Sequence, residues 1–228
     1  RRKMDKVIAQ KIAQGQKISI EQVAREEWEM KFLKDLFDST LGKKVYFKGG
    51  TALRLAYASP RSSEDLDFSI TNKINKKEFE NLIRQFAKNN PGIKISDLAD
   101  KYNTHLAEYK ITESYLPRNF TLKIEISKRK EKKYAYSLIL LTSATTNLQI
   151  LANIEKIEDI LKEKIEALKS RNKARDLFDI WFISNKLKKP MPKILTKIDK
   201  QNIRSELKRF LPQNYQDLII EFEKKYGK

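Results

Sequence analysis

Lys48-Gly49-Gly50-Thr51 and, shortly after it, Arg61-Ser62-Ser63-Glu64-Asp65-Leu66-Asp67-Phe68 decide how this chain reads. A strand sends alternate side chains to opposite faces, so Leu66 and Phe68 enter a core while Asp65 and Asp67 point together into a cleft. Two carboxylates on one face repel unless a cation joins them, and hard oxygen ligands suit Mg2+. The alternative is an exposed edge strand with two solvated aspartates. Upstream, Gly49-Gly50 lets backbone N–H groups approach an anion, and the start of the following helix adds partial positive charge. A plain tight turn would use the same glycines.

Working outward, Val45-Tyr46-Phe47 reads as a short buried strand entering the turn, and 51–57 as the next helix. Residues 5–40 are helical in pattern: Ser19 and Gln22 make a capping box, and Val23, Trp28, Phe32, Leu33, Leu36 and Phe37 recur near helical spacing. A second strand is predicted over 66–71, then an amphipathic helix over 76–89 with Phe79, Leu82, Ile83 and Phe86 on one side. In 120–127, Phe120, Leu122, Ile124 and Ile126 alternate with Thr121, Lys123, Glu125 and Ser127, which puts Glu125 on a polar face. Beyond about residue 145 the pattern turns almost wholly helical, with helices predicted over 154–169 and 174–187 and two more after Pro190 and Pro192. The expectation is an α+β fold: a small mixed β-sheet flanked by helices, with a helical C-terminal part. A soft boundary near residue 150 divides an α/β part, 1–150, from a helical part, 151–228, that completes a cleft.

The chain has 228 residues, 40% of them hydrophobic, enough for an ordinary core. Its net charge is +18, from 48 Lys and Arg against 30 Asp and Glu. A field of that size favours a polyanionic partner, nucleic acid first, although lysines also serve plain solubility. The absence of cysteine excludes disulfides and thiolate metal sites. No apolar run approaches the roughly 18 residues that would span a membrane. Arg1-Arg2-Lys3-Met4 is not followed by the apolar stretch of a signal peptide, so a cytoplasmic location is expected, and a start at Arg suggests a trimmed chain.

Other residues extend the chemistry. Glu125 can be a third metal ligand, or the base that takes a hydroxyl proton, or the partner of Lys123 in a salt bridge. Lys164, Arg171 and Arg175 would share one side of a continuous helix, at roughly 100° per residue, and could hold phosphates; a break at 170–172 would loosen that alignment, and a solvated basic face would look similar. Asp176 and Asp179, three apart on a helix, can face one cleft. The segment 186–228 mixes Lys186, Lys189, Lys193, Arg204 and Arg209 with Phe210 and Tyr215, as a phosphate-tracking surface with stacking groups would. His105, the only histidine, reads as surface or structural.

Four blocks carry a resemblance: Lys48-Gly49-Gly50-Thr51-Ala52-Leu53; Arg61-x-Ser63-x-Asp65-Leu66-Asp67-Phe68; Lys123-Ile124-Glu125-Ile126; and Lys164-x-x-Ala167-Leu168-x-x-Arg171-x-x-x-Arg175-Asp176-Leu177-Phe178-Asp179. Together and in this order, over roughly residues 45 to 185, they resemble the AbiEii/AbiGii toxin family. This is a branch of the DNA polymerase β-type nucleotidyltransferase superfamily, related to the MenT toxins. The resemblance implies a Mg2+-dependent nucleotidyltransferase that moves a nucleoside monophosphate from a nucleoside triphosphate to RNA, at a tRNA 3′ end, and that is paired with an antitoxin.

It also implies roles. Asp65 and Asp67, with Glu125, would hold Mg2+; Lys48, Gly49, Gly50, Thr51, Arg61 and Ser63 would cradle the triphosphate with Arg171 and Arg175; Lys164 would hold a phosphate. One of Asp176 and Asp179 would complete the site. Where relatives more often carry Asp, this chain has Glu125, which keeps the carboxylate and lengthens its reach. Two rivals stay open at this level: a same-fold enzyme modifying a protein hydroxyl or a small molecule, and a noncatalytic module binding nucleic acid or antitoxin.

Overall fold

A computed structural model describes residues 4–129, 135–194 and 196–228; the basic start Arg1-Arg2-Lys3 lies outside them. The chain opens with two helices, α1 (Lys6–Gln16) and α2 (Ile20–Asp38). Lys17 in the left-handed region ends the first, and the expected capping box starts the second: the Ser19 hydroxyl accepts from Gln22 N, and Gln22 Oε1 accepts from Ser19 N. There follow β1 (Val45–Lys48), α3 (Gly49–Tyr57), β2 (Asp65–Ile70) and α4 (Lys76–Asn89). Four strands come next, β3 (Ile93–Asp100), β4 (Thr104–Ile111), β5 (Phe120–Ser127) and β6 (Tyr136–Ser143), and then β7 (Thr146–Glu155). The chain closes with α5 (Ile157–Arg171), α6 (Ala174–Lys186), α7 (Lys200–Phe210) and α8 (Gln216–Tyr226).

The seven strands form one mixed sheet in the order β3-β4-β5-β2-β1-β7-β6, which bears out the expected fold class. The sheet is wider than the three strands that alternation picks out. One expectation fails: 146–155 is not helical but is β7, antiparallel to β6 and parallel to β1, and the helix expected from residue 154 begins at Ile157. Ile154, Ile157 and Leu161 happen to sit at helical spacing, but Ile154 pairs with Phe47 in the sheet interior, so tertiary pairing overrides the local pattern. Residue 150, near which a soft boundary was expected, lies inside β7.

The sheet packs one face on α2 and α4. Leu66, Phe68, Ile124 and Ile126 are buried there, and Phe32 of α2 and Phe86 of α4 meet each other and Tyr109 of β4. Each such fully buried apolar side chain contributes about 1.5–3 kcal/mol. A second apolar cluster is built by α6, α7 and α8 around Phe178, Leu207 and Phe222. A small third set, Leu53, Ile157, Ile160 and Ile183, seats α5 and α6 against α3. That contact brings the helical part over the polar face of the sheet.

Candidate active site

The central position of β2 excludes the edge-strand alternative for the two aspartates, since β1 pairs it on one side and β5 on the other. Directly registered residues share a face. Glu125, Asp67 and Lys48 therefore lie in one row across three strands, and Lys123 and Asp65 form a second row beside it. Leu66 and Phe68 are buried on the opposite face.

Gly49, at φ +80°, turns the chain from β1 straight into α3, a conformation a side chain disfavours. A Cβ there would stand 2.6 Å from Asp67 Oδ2, and one on Gly50 would stand 2.5 Å from Arg61 Nη2 and 2.7 Å from Ser63 Oγ. Both glycines are thus places where the backbone of a helix start meets charged side chains at close range. Thr51 Oγ1 donates to the Asp65 carbonyl at 2.6 Å and ties α3 to β2.

The opposite wall is ionic. After α5 ends at Asn172 in the left-handed region, α6 begins, so the continuous helix needed for the simple angular argument does not exist. The charges converge nonetheless. Arg61 is bidentate to Asp179, Nε to Oδ1 and Nη2 to Oδ2 at 2.7 Å each. Lys164 Nζ is 2.8 Å from Asp179 Oδ2 and 3.5 Å from Asp176 Oδ1. Arg171 is bidentate to Asp176 at 2.7 Å. Both aspartates are fully buried, so they serve to hold three cations in place rather than to meet solvent. Against the burial that would raise it, Arg61 and then Lys164 keep the Asp179 carboxyl below the ordinary value.

Electrostatics show the two walls facing each other. Burial, then Asp65, then Glu125 push the Asp67 carboxyl up to about 6, against the pull of Lys164 and Lys48. Burial also raises Asp65, against Lys123 and Arg175. Arg171 in turn feels Asp67. A carboxylate pair in which both members are raised is short of positive charge, and a divalent cation would supply it. Among the described residues no three His, Cys, Asp or Glu side chains converge as a ready-made metal site, and Glu125 is drawn off by Lys123, 3.1 Å away. The donor set therefore fits Mg2+ in its usual manner, through one or two carboxylates with substrate oxygens and water completing the shell.

Two neighbours, Glu163 and Glu206, carried no assigned role in the sequence, and the salt bridge expected between Lys123 and Glu125 is present. Glu163 accepts from Lys48 Nζ at 2.6 Å, Lys123 pairs with Glu125, and Glu206 accepts from the first N–H groups of α6, Ala174 and Arg175, while its other oxygen is 3.7 Å from Arg175. Of these contacts only the Lys123–Glu125 salt bridge was legible beforehand, from the two-residue spacing on one strand face. In the C-terminal segment, Phe210 is buried beneath Arg61 and Arg209, at 5.9 and 5.1 Å from its ring, and Tyr215 packs on the helical core. Phe210 therefore lacks the free stacking face expected of it, and Tyr215 is partly covered by the helical core.

Residues 31–224 match the family model described as nucleotidyl transferase AbiEii toxin, type IV TA system. The chain belongs to the AbiEii toxin family. As an AbiEii protein it is a nucleotidyltransferase, with a nucleoside triphosphate as substrate and an antitoxin as partner. Among solved structures it is similar to JHP933 from Helicobacter pylori, 30% identical over 73% of this chain and 67% of that one, with a TM-score of 0.53. It also shares its fold with MenT4, a nucleotidyltransferase toxin from Mycobacterium tuberculosis, at 16% identity over 99% of this chain and 74% of that one, with a TM-score of 0.60. No curated protein matches the chain. Among the described residues, no helix is long and apolar enough to cross a membrane.

Proposed function

We propose that this AbiEii protein transfers a nucleoside monophosphate to the 3′ end of an RNA, with tRNA as the acceptor, and that Asp65 and Asp67 hold Mg2+ for the reaction. The observation that carries the reading is the row Glu125-Asp67-Lys48 beside Asp65 on a half-buried sheet face, opposite a wall of ion-paired cations. The acceptor rests on the +18 charge, which suits a polyanion, and on the family resemblance.

Asp65 and Asp67 would hold Mg2+, which would supply positive charge to offset the negative charge that develops on the phosphates. The chain's own groups do the rest. Backbone N–H groups at Gly49, Gly50 and Thr51, at the start of α3, orient the triphosphate. Lys164 and Arg171, fixed by Asp179 and Asp176, present positive charge to the departing pyrophosphate without having to reorganise, and Arg175 adds to that field beside Asp65. Glu125, held near Lys123, stands in register with Asp67 where it can accept the proton of the attacking 3′-hydroxyl.

The test is incubation with total RNA, Mg2+ and each labelled nucleoside triphosphate in turn. Label should appear at RNA 3′ ends, vanish on chelation, and vanish in Asp67→Asn while circular dichroism shows the fold retained. Undiminished labelling by Asp67→Asn, or label on protein or small molecules in place of RNA, would overturn the reading.

A further inference from the structure

At the far end of β2 from the aspartates, the structure holds a cavity. It has a volume of about 590 Å3 and lies under the loop from β2 to α4, against the ends of β3, β4 and β5. Ile70, which borders it, follows Asp67 by three residues, roughly 10 Å along a strand at ~3.3 Å per residue. Nothing in the transfer reaction described above uses it.

Its lining combines two chemistries. Ile70 and Ile74 give an apolar floor, and the His105 ring, 2% exposed and packed on Phe79 at 5.2 Å between centroids, borders the cavity from beneath. Burial, then Lys128, holds that imidazole below its ordinary pKa, so at neutral pH it is an uncharged aromatic surface. The rim is cationic: Lys73, Lys76 and Lys128 line it, with Asp100 as the one acid among the lining residues. Asp100 is already committed, 2.9 Å from His105 Nδ1 and hydrogen-bonded to Lys128, which also donates to the Lys101 carbonyl. Lys76 reaches Glu80 only at 3.7 Å on the exposed side of α4.

An inorganic anion would fill little of such a volume and would leave the apolar floor idle. A neutral hydrophobe would leave the exposed Lys73 ammonium unused, and Lys76 with only its loose contact to Glu80. Pockets of ~300–1,000 Å3 with apolar walls and a few convergent polar groups take small organic ligands, and here the polar groups select an anion. We propose that this cavity binds a nucleoside phosphate, the base lying on Ile70, Ile74 and His105 and the phosphate meeting Lys73 and Lys76.

Such a ligand can be a free nucleotide or one residue of a strand. Tyr102, two residues beyond Asp100 in the β3–β4 turn, is 94% exposed, and an uncovered aromatic there offers stacking to a neighbouring base only if the ligand is a strand.

His105 is the only histidine in the chain, so its ring resonances report on the cavity alone. Adenosine 5′-monophosphate, a short single-stranded oligoribonucleotide and inorganic phosphate are titrated in turn while these signals are followed by NMR. The nucleotide or the oligonucleotide should shift them saturably, and Lys73→Glu/Lys76→Glu, both exposed positions, should weaken binding at least tenfold. Loss of oligonucleotide affinity in Tyr102→Ala, with the mononucleotide unaffected, identifies a strand; equal affinity for both ligands identifies a free nucleotide. No shift at millimolar ligand, unchanged affinity in the double variant, or an equal response to inorganic phosphate overturns the proposal. The Asp67→Asn chain should bind here like the parent, so loss of transfer and loss of this site are separately observable.

Discussion

Asp179→Asn keeps the shape of the side chain and removes the charge that Arg61 and Lys164 share. Asp179 is fully buried and Arg61 is 2% exposed, so the guanidinium cannot turn to water for a replacement partner. Before the change, three cations, Arg61, Lys164 and Arg171, face two carboxylates; afterwards they face Asp176 alone, which is already bidentate to Arg171. Breaking one partner of a buried pair costs about 3–5 kcal/mol, because the other charge stays desolvated and unpaired. For a chain of this length each kcal/mol moves Tm by about 2–4 °C, so a fall of roughly 6–20 °C is expected. The control is Arg204→Gln. Arg204 makes a bidentate contact with Glu223 of equal quality, at 2.8 and 2.7 Å, but its side chain is 58% exposed, and solvent screening leaves such a pair little weight. Urea unfolding at pH 7, followed by the fluorescence of Trp28 in the sheet core and Trp181 in the helical part, reads both losses. If Asp179→Asn costs no more than Arg204→Gln, burial is not what gives this network its weight, and the account of the cationic wall fails.

Two further outcomes follow from the same coordinates. In Gly49→Ala the new Cβ would begin 2.6 Å from Asp67 Oδ2, while ordinary contact starts at 3.4 Å, so the carboxylate must retreat by about 0.8 Å. The positive φ should cost about 1–2 kcal/mol of stability, whereas misplacement near 1 Å should cut nucleotide transfer about 10²-fold; transfer at the parent rate would show that Asp67 is not positioned by this glycine. Glu29, buried in α2, has its carboxyl pushed up to about 8 by burial and then Glu26, so the folded chain keeps a proton that the unfolded chain releases above its ordinary 4.5. Stability from this group is complete below about pH 4.5 and is lost as pH rises to about 8. Glu29→Gln should therefore match the parent near pH 4.5 and exceed it by a few kcal/mol at most near pH 8, at about 1.36 kcal/mol per pKa unit; equal urea midpoints at both pH values would refute the assignment.

The chain alone made the catalytic strand readable, because its decisive features are local. Period-two alternation placed Leu66 and Phe68 inward and paired Asp65 with Asp67 on the other face. The Gly49-Gly50 pair between a strand and a helix marked a close backbone approach, and Ser19 with Gln22 marked a helix start. Four motif blocks in order then named the family.

Tertiary structure decided what depends on partners distant in sequence. Whether 146–155 is helix or strand rested on β1 and β6 being there to pair with it. Glu125 was held by its neighbour Lys123 and set in register with Asp67 only once β5 lay beside β2. Asp176 and Asp179 looked like candidates to meet substrate, yet their burial makes them the anchors of Arg171, Lys164 and Arg61, since a desolvated carboxylate is stable only where cations converge on it. The cavity beside His105 left no periodic trace in the sequence, because a concave surface is made by the ends of several strands and no single segment encodes it.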